Sequence, residues 1–442
     1  MKNIVTITKK INNFNKKIKV SSDKSLSIRC VLLSSIAIGT SRLSNLLESE
    51  DVLNALKAIK KLGINYKKKK NFFEIEGFGL NGYNTKKKIT INAGNSATLA
   101  RLLCGLLVKA ENKIRLIGDK SLFKRDFSRL EFLKLFGVNI KNKNGLLPVE
   151  IQGSRFLRPA KIIEKLGSAQ VKSCAIFCGL NTPGITFIKA KKSRNHTESL
   201  LRYLKYPIKV KSKGAYDYIK LKGLNQFKAF NYKVPGDISS AAFFIVLTLL
   251  SKNSKILIKK VNINKSRIGI IKILNKMNAK IKLKNKRLYK GEETADILVK
   301  SRNNLKSIYC PEKLNSSAID EFLVIFLVAS KAKGISSFRN LEELNKKESP
   351  RLDRAVKFLK MIGIKVIRKK NNIQIYGNPD LDLKGKFHIK NYLKDHRIFM
   401  MSCIAALSFG GLWHINNKDS INTSFPSFLK IIKFLGGKYE IK

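Results

Sequence analysis

Acidic residues are the first scarcity. The 442 residues hold 30 Asp+Glu against 89 Lys+Arg, a formal net charge of +59. Cysteine is sparse as well. Six Cys without paired metal-like spacing argue against a disulfide framework or a zinc site and fit a reduced, cytoplasmic chain. With only 27 Gly and 9 Pro, the chain is not collagen-like. No apolar run approaches the ~20 residues of a membrane-spanning helix. The longest, Ala241–Leu250, is about half that and reads as a core helix, so no membrane partner is expected. The opening MKNIVTITKKINNFNKK lacks the continuous apolar stretch of a secretory signal. What is abundant is apolar: 44% hydrophobic residues with 27% charged support a packed core and exclude a disordered chain. At ~150 residues per domain, the length suggests two or three domains.

So basic a chain first suggests nucleic acid. The cations, however, are spread along the whole length. The short runs Lys67–Lys70 and Lys86–Lys88 do not form a basic tail, and aromatics do not alternate with them in a stacking pattern. A solvated Lys-rich surface is the plainer explanation, and no specific nucleic-acid partner is expected.

One pattern recurs. A helix-like segment with apolar residues at i, i+3 and i+4 ends in a turn, and alternation follows. It occurs in LKAIKKLGINY at Gly63, FLKLFGVNIK at Gly137, LLRYLKYPIKV at Tyr206, IIKILNKMNAKIKL at Asn278, AVKFLKMIGIKVI at Gly363 and FLKIIKFLGGKYEI at Gly437. Successive spacings are 74, 69, 72, 85 and 74 residues, too long for the common solenoids. Upstream of many of these helices lies a second, all-round apolar one, such as CVLLSSIAIG or SSAAFFIVLTLL. Each unit is then two helices with several strands. Six units suggest two domains of three, with apolar helices inside and sheets outside.

Several polar clusters open these apolar helices. DKSLSIR (Asp23–Arg29) places Lys24, Ser25 and Arg29 at a helix start, which is either an anion site or a plain N-cap with surface cations. GNSATLAR (Gly94–Arg101) is a small polar turn feeding another apolar helix. KRDFSR (Lys124–Arg129) holds three cations in six residues. In GSAQVKSCAIFCGL, Ser168, Ala169, Gln170 and Lys172 precede Cys174 and Cys178, which share one helix face and read as core residues rather than metal ligands. SRNHTE supplies Arg194 and His196; IDEF supplies Asp320 and Glu321; KKESPR supplies Lys347, Glu348 and Arg351; DHR supplies Arg397. Each cluster alone is weak. Together, helix starts bearing Lys and Arg describe a cleft for a small polyanion, and the few carboxylates among the cations are the acid–base candidates.

The ordered set DKSxSxR, GNSxTxxR, SAQVKS, SRNHTE, VPGDISSAAFF, IDEF, KES and DHR resembles the EPSP synthase (3-phosphoshikimate 1-carboxyvinyltransferase) family from about Val20 to Pro426. SAQVKS and PGDISSAAFF carry most of the specificity. The resemblance implies an α/β, two-domain enolpyruvyl transferase fold, each domain built of three βαβαββ repeats with the active site between the domains. One domain would comprise 1–21 plus 235–442 and the other 22–234, with crossings near Ser21 and Pro235. It implies transfer of the enolpyruvyl group of phosphoenolpyruvate to the 5-hydroxyl of shikimate 3-phosphate, on the route to aromatic amino acids, by a monomer without metal or organic cofactor. Carried over by motif, Lys24, Ser25, Arg29, Ser168, Ala169, Gln170, Arg194, Asp320 and Lys347 would bind shikimate 3-phosphate. Lys24, Ala97, Arg125, Gln170, Arg351 and Arg397 would bind phosphoenolpyruvate. Lys24, Asp320 and Glu348 would be catalytic, Asp320 accepting the 5-hydroxyl proton and Glu348 protonating the methylene carbon.

The chain departs from the family pattern in places. Ser21-Ser22 replaces Pro-Gly, Pro350 stands where Asp is usual, and Asp126 replaces the Pro after Arg125. Ala97 and Ala169 stand where many members have Gly and Ser, as in the class II-like subgroup with low glyphosate sensitivity, and an added methyl at Ala97 would crowd that longer inhibitor. Two other functions remain open on sequence. UDP-N-acetylglucosamine enolpyruvyl transferase shares the fold and chemistry but normally carries a reactive loop Cys, and no Cys here sits in an evident basic loop. A basic RNA- or polyanion-binding protein on a decayed enzyme fold would be expected to have lost Asp320, Glu348 or Lys24, and all three are present.

Overall fold

The structure, a computed structural model, describes residues 3–442. The chain divides into two compact units. A terminal unit comprises the segment up to Ser21, Pro235–Arg287 and Glu293–Lys442; a central unit comprises Ser22–Val234 with Leu288–Glu292. Each unit has its own continuous apolar core.

Thirteen α-helices are described. They are α1 (Lys24–Ser35), α2 (Glu50–Lys61), α3 (Ala97–Leu106), α4 (Ala169–Asn181), α5 (His196–Tyr203), α6 (Ile238–Leu250), α7 (Gly269–Lys276), α8 (Asn315–Ala318), α9 (Phe322–Lys331), α10 (Glu342–Asn345), α11 (Arg351–Met361), α12 (His396–Phe409) and α13 (Phe428–Phe434). Two kinds alternate. In the central unit α1, α3 and α4 are buried almost all round, and in the terminal unit α6, α9 and α12 are. Helix α6, ISSAAFFIVLTLL, has no charged residue, and all of it except Leu250 is buried. An apolar circumference is stable only with packing on every side. By contrast α2, α7 and α11 bury one stripe and present Lys or Arg on the other, and α5 buries its first six residues.

The segment Ser128–Phe136, expected as an α-helix, is 3₁₀. Its buried residues are Leu130, Leu133 and Phe136, a three-residue interval that lines up on one face only at three residues per turn. A left-handed residue follows each of the six outer helical segments: Gly63, Gly137, Lys205, Asn278, Gly363 and Gly436. At the third and sixth it falls one position before the Tyr206 and Gly437 that sequence pattern marks.

The sheets repeat one plan. In the central unit 161–164 runs parallel to 185–191, which pairs antiparallel with 216–222, which pairs antiparallel with 208–213. Strands 89–92, 114–117, 146–152 and 139–143 follow the same order and sense. In the third sheet the parallel edge is 231–233, from the far end of the unit, beside 38–44. The terminal unit has two four-stranded sheets and one of three strands, in which the place of the parallel edge is taken by the isolated bridges Lys306–Lys333 and Tyr309–Ser337. This is the βαβαββ repeat with helices inside. A shared close approach accompanies it. A Cβ on Gly77, Gly223 or Gly377 would lie 2.3, 1.7 or 1.9 Å from the carbonyl oxygens of Ser34, Thr182 and Ala332, so the outgoing strand meets the end of a buried helix where only glycine fits.

Candidate active site

The polar clusters sit where this architecture puts them, at the N-termini of buried helices. Asp23 caps α1 (2.9 Å to the Leu26 amide), Ser96 caps α3 (3.2 Å to Leu99) and Ser168 caps α4 (3.3 Å to Val171). In the terminal unit Asp237 caps α6 and Asp395 caps α12. These caps leave other N–H groups of each first turn pointing outward at the positive end of the helix dipole. Cations stand there too: Lys24 opens α1, Arg351 opens α11, and Arg397 is second in α12. A helix start favours negative charge, so a cation placed at one strengthens a field that suits an anion.

In the central unit Lys24 Nζ donates to Asp51 Oδ2 at 2.9 Å. Arg29 is buried, with Nε on Thr197 Oγ1 (2.8 Å), Nη1 on the Ser25 carbonyl (3.0 Å) and Nη2 on Ser173 Oγ (2.9 Å). It thereby ties α1 to α4 and α5. Gln170, second in α4, accepts from Arg101 and donates to Thr98 Oγ1 at 2.9 Å. Arg101 also donates to the Asp126 carbonyl at 2.7 Å, so α3 and α4 are joined to the loop that carries Arg125. Asp126 accepts from the Ser128 amide and hydroxyl and from Arg129 Nε at 3.0 Å. Against partial burial, which raises it, these bonds hold its carboxyl below the usual range. Ala97 is the first residue of α3 and buried; Ser168, Ala169 and Arg194 are partly exposed.

Beneath this surface lies a buried charge cluster that the motifs contain but their pattern does not announce. Lys172 is wholly inaccessible, 2.8 Å from Glu198 Oε1 and 3.8 Å from Asp217 Oδ2. His196 Nδ1 lies 2.8 Å from Glu292 Oε1, both buried. His196 is therefore a core residue of the central unit, held by the returning segment Leu288–Glu292.

In the terminal unit the candidates converge. Asp320 receives Lys347 Nζ at 3.4 Å and Arg351 Nη1 at 3.3 Å, and Arg397 Nη2 stands 4.0 Å from its other oxygen. Arg397 Nη1 donates to the Asp320 carbonyl at 2.8 Å. Arg351, 1% exposed, also pairs with Glu348 and, through Nε (2.9 Å) and Nη2 (3.2 Å), with Asp395. Burial alone would lower the Arg351 pKa, but Asp395, Glu348 and Asp320 carry it above its ordinary value, so the guanidinium is permanently charged. Pro350 is the residue before α11 and leaves Arg351 inside this network.

Residues to which the resemblance assigned no role complete the picture: Arg101, Asp51, Ser173 and Thr197 in the central unit, Asp395 and Glu321 in the terminal unit. Arg101 was legible as an arginine in an otherwise apolar helix, and Asp395 as the residue before a helix of fourteen. Asp51 carried no signal, since an acidic first turn of an amphipathic helix is ordinary. All six Cys are buried. Burial pushes the Cys310 thiol up to about 11 and Cys104 to about 12, so none has the depressed pKa of a nucleophile. Among the described residues no group of three His, Cys, Asp or Glu is placed to hold a metal, and no helix is long and apolar enough to cross a membrane. Two surface depressions, about 240 and 480 Å³, lie at one edge of the central unit around Phe72 and Lys233, and no candidate residue lines them.

Comparison with known proteins is consistent across sequence and structure. The family profile described as EPSP synthase (3-phosphoshikimate 1-carboxyvinyltransferase) matches residues 8–432. The 3-phosphoshikimate 1-carboxyvinyltransferase of Ruthia magnifica subsp. Calyptogena magnifica is 39% identical over 433 residues, covering 97% of each chain. That of Bartonella quintana (strain Toulouse) is 37% identical over 426 residues, 96% of each. The EPSP synthase structure from Acinetobacter baumannii superposes with a TM-score of 0.87 at 34% identity over the full length of both chains. The enolpyruvyl transferase NikO from Streptomyces tendae, at 13% identity and a TM-score of 0.74 over 100% of this chain and 99% of its own, shares the fold.

Proposed function

The chain belongs to the EPSP synthase (3-phosphoshikimate 1-carboxyvinyltransferase) family, and from that premise we propose how its own residues divide the work. The reaction transfers the enolpyruvyl group of phosphoenolpyruvate to the 5-hydroxyl of shikimate 3-phosphate and releases phosphate. Both substrates are polyanions that repel one another in water. Fixed cations offset that repulsion and orient the hydroxyl toward C2 of phosphoenolpyruvate.

Lys24, Ser25, Arg29, Ser168, Ala169, Gln170 and Arg194 receive shikimate 3-phosphate, with Lys347 and Asp320 at its ring. Lys24, Arg125, Gln170, Arg351 and Arg397 hold phosphoenolpyruvate, which packs against Ala97. Arg29 acts from a buried position by fixing Ser25 and Thr197.

The observation that carries the assignment is the sharing of Asp320 among Lys347, Arg351 and Arg397. Arriving substrate anions draw those cations toward themselves, and the Asp320 carboxylate then accepts the 5-hydroxyl proton. Glu348 stands in a different balance. Its partner here is Arg351, and an arriving phosphate or carboxylate competes for that guanidinium. The competition loosens that pairing, and Glu348 donates the proton to the methylene carbon.

The chain acts as a monomer in the cytoplasm, and its excess charge has no specific nucleic-acid target. Asp320→Asn and Glu348→Gln test the roles. Each should lower kcat by about 10²-fold or more with smaller changes in KM, the scale of general acid–base catalysis. Retention of near-normal kcat in either variant refutes that residue's role.

A further inference from the structure

We propose that Glu321, which the chemistry above does not use, is a positioning residue that sets the guanidinium of Arg397. The proposal rests on the reading of Arg397 as a phosphoenolpyruvate contact. Glu321 immediately precedes α9, and its side chain is fully buried. Its Oε1 accepts a hydrogen bond from Ser239 Oγ and lies 3.9 Å from Arg397 Nη1. Ser239 Oγ in turn accepts from Arg267 Nη2 at 2.8 Å, and the same nitrogen pairs with Asp237 Oδ1 at 2.8 Å. Arg267 is 2% exposed. A buried line thus runs Asp237–Arg267–Ser239–Glu321–Arg397, with charges alternating on either side of one hydroxyl, and it joins the N-termini of α6, α9 and α12.

An ionised carboxylate in a dry interior is retained only when charge and hydrogen bonds compensate it. Glu321 therefore exerts a fixed pull on Arg397 from the protein side. Asp320 pulls as well, its carbonyl accepting from the same Nη1 at 2.8 Å and its carboxylate standing 4.0 Å from Nη2. The guanidinium rests between adjacent carboxylates with different duties, one buried and structural, the other the proposed base. Without the Glu321 charge the balance tips, and Arg397 closes onto the Asp320 carboxylate. That movement withdraws a phosphoenolpyruvate contact.

The test is Glu321→Gln, which keeps the volume and the Ser239 acceptor and deletes only the charge. Steady-state kinetics should show the KM for phosphoenolpyruvate rising about five- to tenfold, with that for shikimate 3-phosphate within about twofold. Ser239→Ala, which cuts the line one step back, should move the same constant in the same direction by about two- to fivefold, and it carries the test if Glu321→Gln does not fold. A merely structural role would move both KM values together. Parallel changes, or no change in either, overturn the proposal. Arg397→Lys separates the two levels of inference. If it leaves the phosphoenolpyruvate KM unaltered, the assignment of Arg397 fails. If it raises that KM while Glu321→Gln does not, only the positioning role fails.

Discussion

Asp395→Ala should be among the most damaging single substitutions in the terminal unit. The Asp395 carboxylate is fully buried and accepts from Arg351 Nε (2.9 Å), Arg351 Nη2 (3.2 Å), Ser349 Oγ (2.9 Å) and the Arg397 amide (3.0 Å). Removing one member of a buried ion pair costs about 3–5 kcal/mol, and losing an N-cap about 1 kcal/mol. Arg351 keeps Glu348 and Asp320, which absorb part of the loss. A net destabilisation of about 3–4 kcal/mol follows. Asp395→Asn retains a cap acceptor and the volume and should cost about 2 kcal/mol. The single Trp makes the assay specific. Trp413 is buried in the terminal unit, stacked between Phe358 and Phe387, so its fluorescence during denaturant unfolding follows that unit without assuming that both unfold together. Acid supplies a second axis. Burial would raise the Asp395 pKa, but the Arg351 guanidinium holds it below the ordinary carboxylate value. A depressed folded-state pKa contributes stability above the unfolded-state pKa of about 4 and loses it as pH falls through the folded value. The gap between wild type and Asp395→Asn should therefore be constant from about pH 8 to 5 and shrink only below about pH 4. A loss under about 1 kcal/mol for Asp395→Ala, or a gap that closes near neutrality, would refute the reasoning.

Other expectations follow from the same physics. Lys172→Met leaves the buried Glu198 without its 2.8 Å partner and should destabilise the central unit by about 3–5 kcal/mol. Adding Glu198→Gln should restore much of that, as read by hydrogen exchange of α4 and α5 amides, and an unrestored double variant counts against charge pairing as the cause. Ala97→Gly, which removes a methyl from the first turn of α3, should lower the glyphosate inhibition constant by about tenfold, the scale of ~1.4 kcal/mol. An unchanged constant, already well below the phosphoenolpyruvate KM, argues that Ala97 does not shape that site.

Much of this architecture is written in periodicities. The six recurrences of helix, turn and strand rest on local rules, an apolar stripe followed by a left-handed residue, which act within a dozen residues and so survive in sequence. Helix α6 is legible because thirteen residues without a charge have nowhere to go but inside. The 3₁₀ geometry of Ser128–Phe136 was hidden because FLKLF fits either helical period until its burial partners are known. Long-range pairing is a different matter. Nothing local marks Glu292 as the partner of His196, ninety-six residues away, or Asp395 as that of Arg351, forty-four away. A carboxylate at a helix start reads as a cap whether or not an arginine arrives from elsewhere. Asp320, Lys347, Glu348, Arg351 and Arg397 were legible as motifs, but the convergence of the three cations on the Asp320 carboxylate was not.

The most direct measurement is inorganic phosphate released from phosphoenolpyruvate by the full chain with different acceptors. Gathering two mutually repelling acids predicts no release with phosphoenolpyruvate alone and one phosphate for each shikimate 3-phosphate consumed. Release that instead requires UDP-N-acetylglucosamine, or none with any acceptor alongside tight, salt-dependent RNA binding, would contradict it.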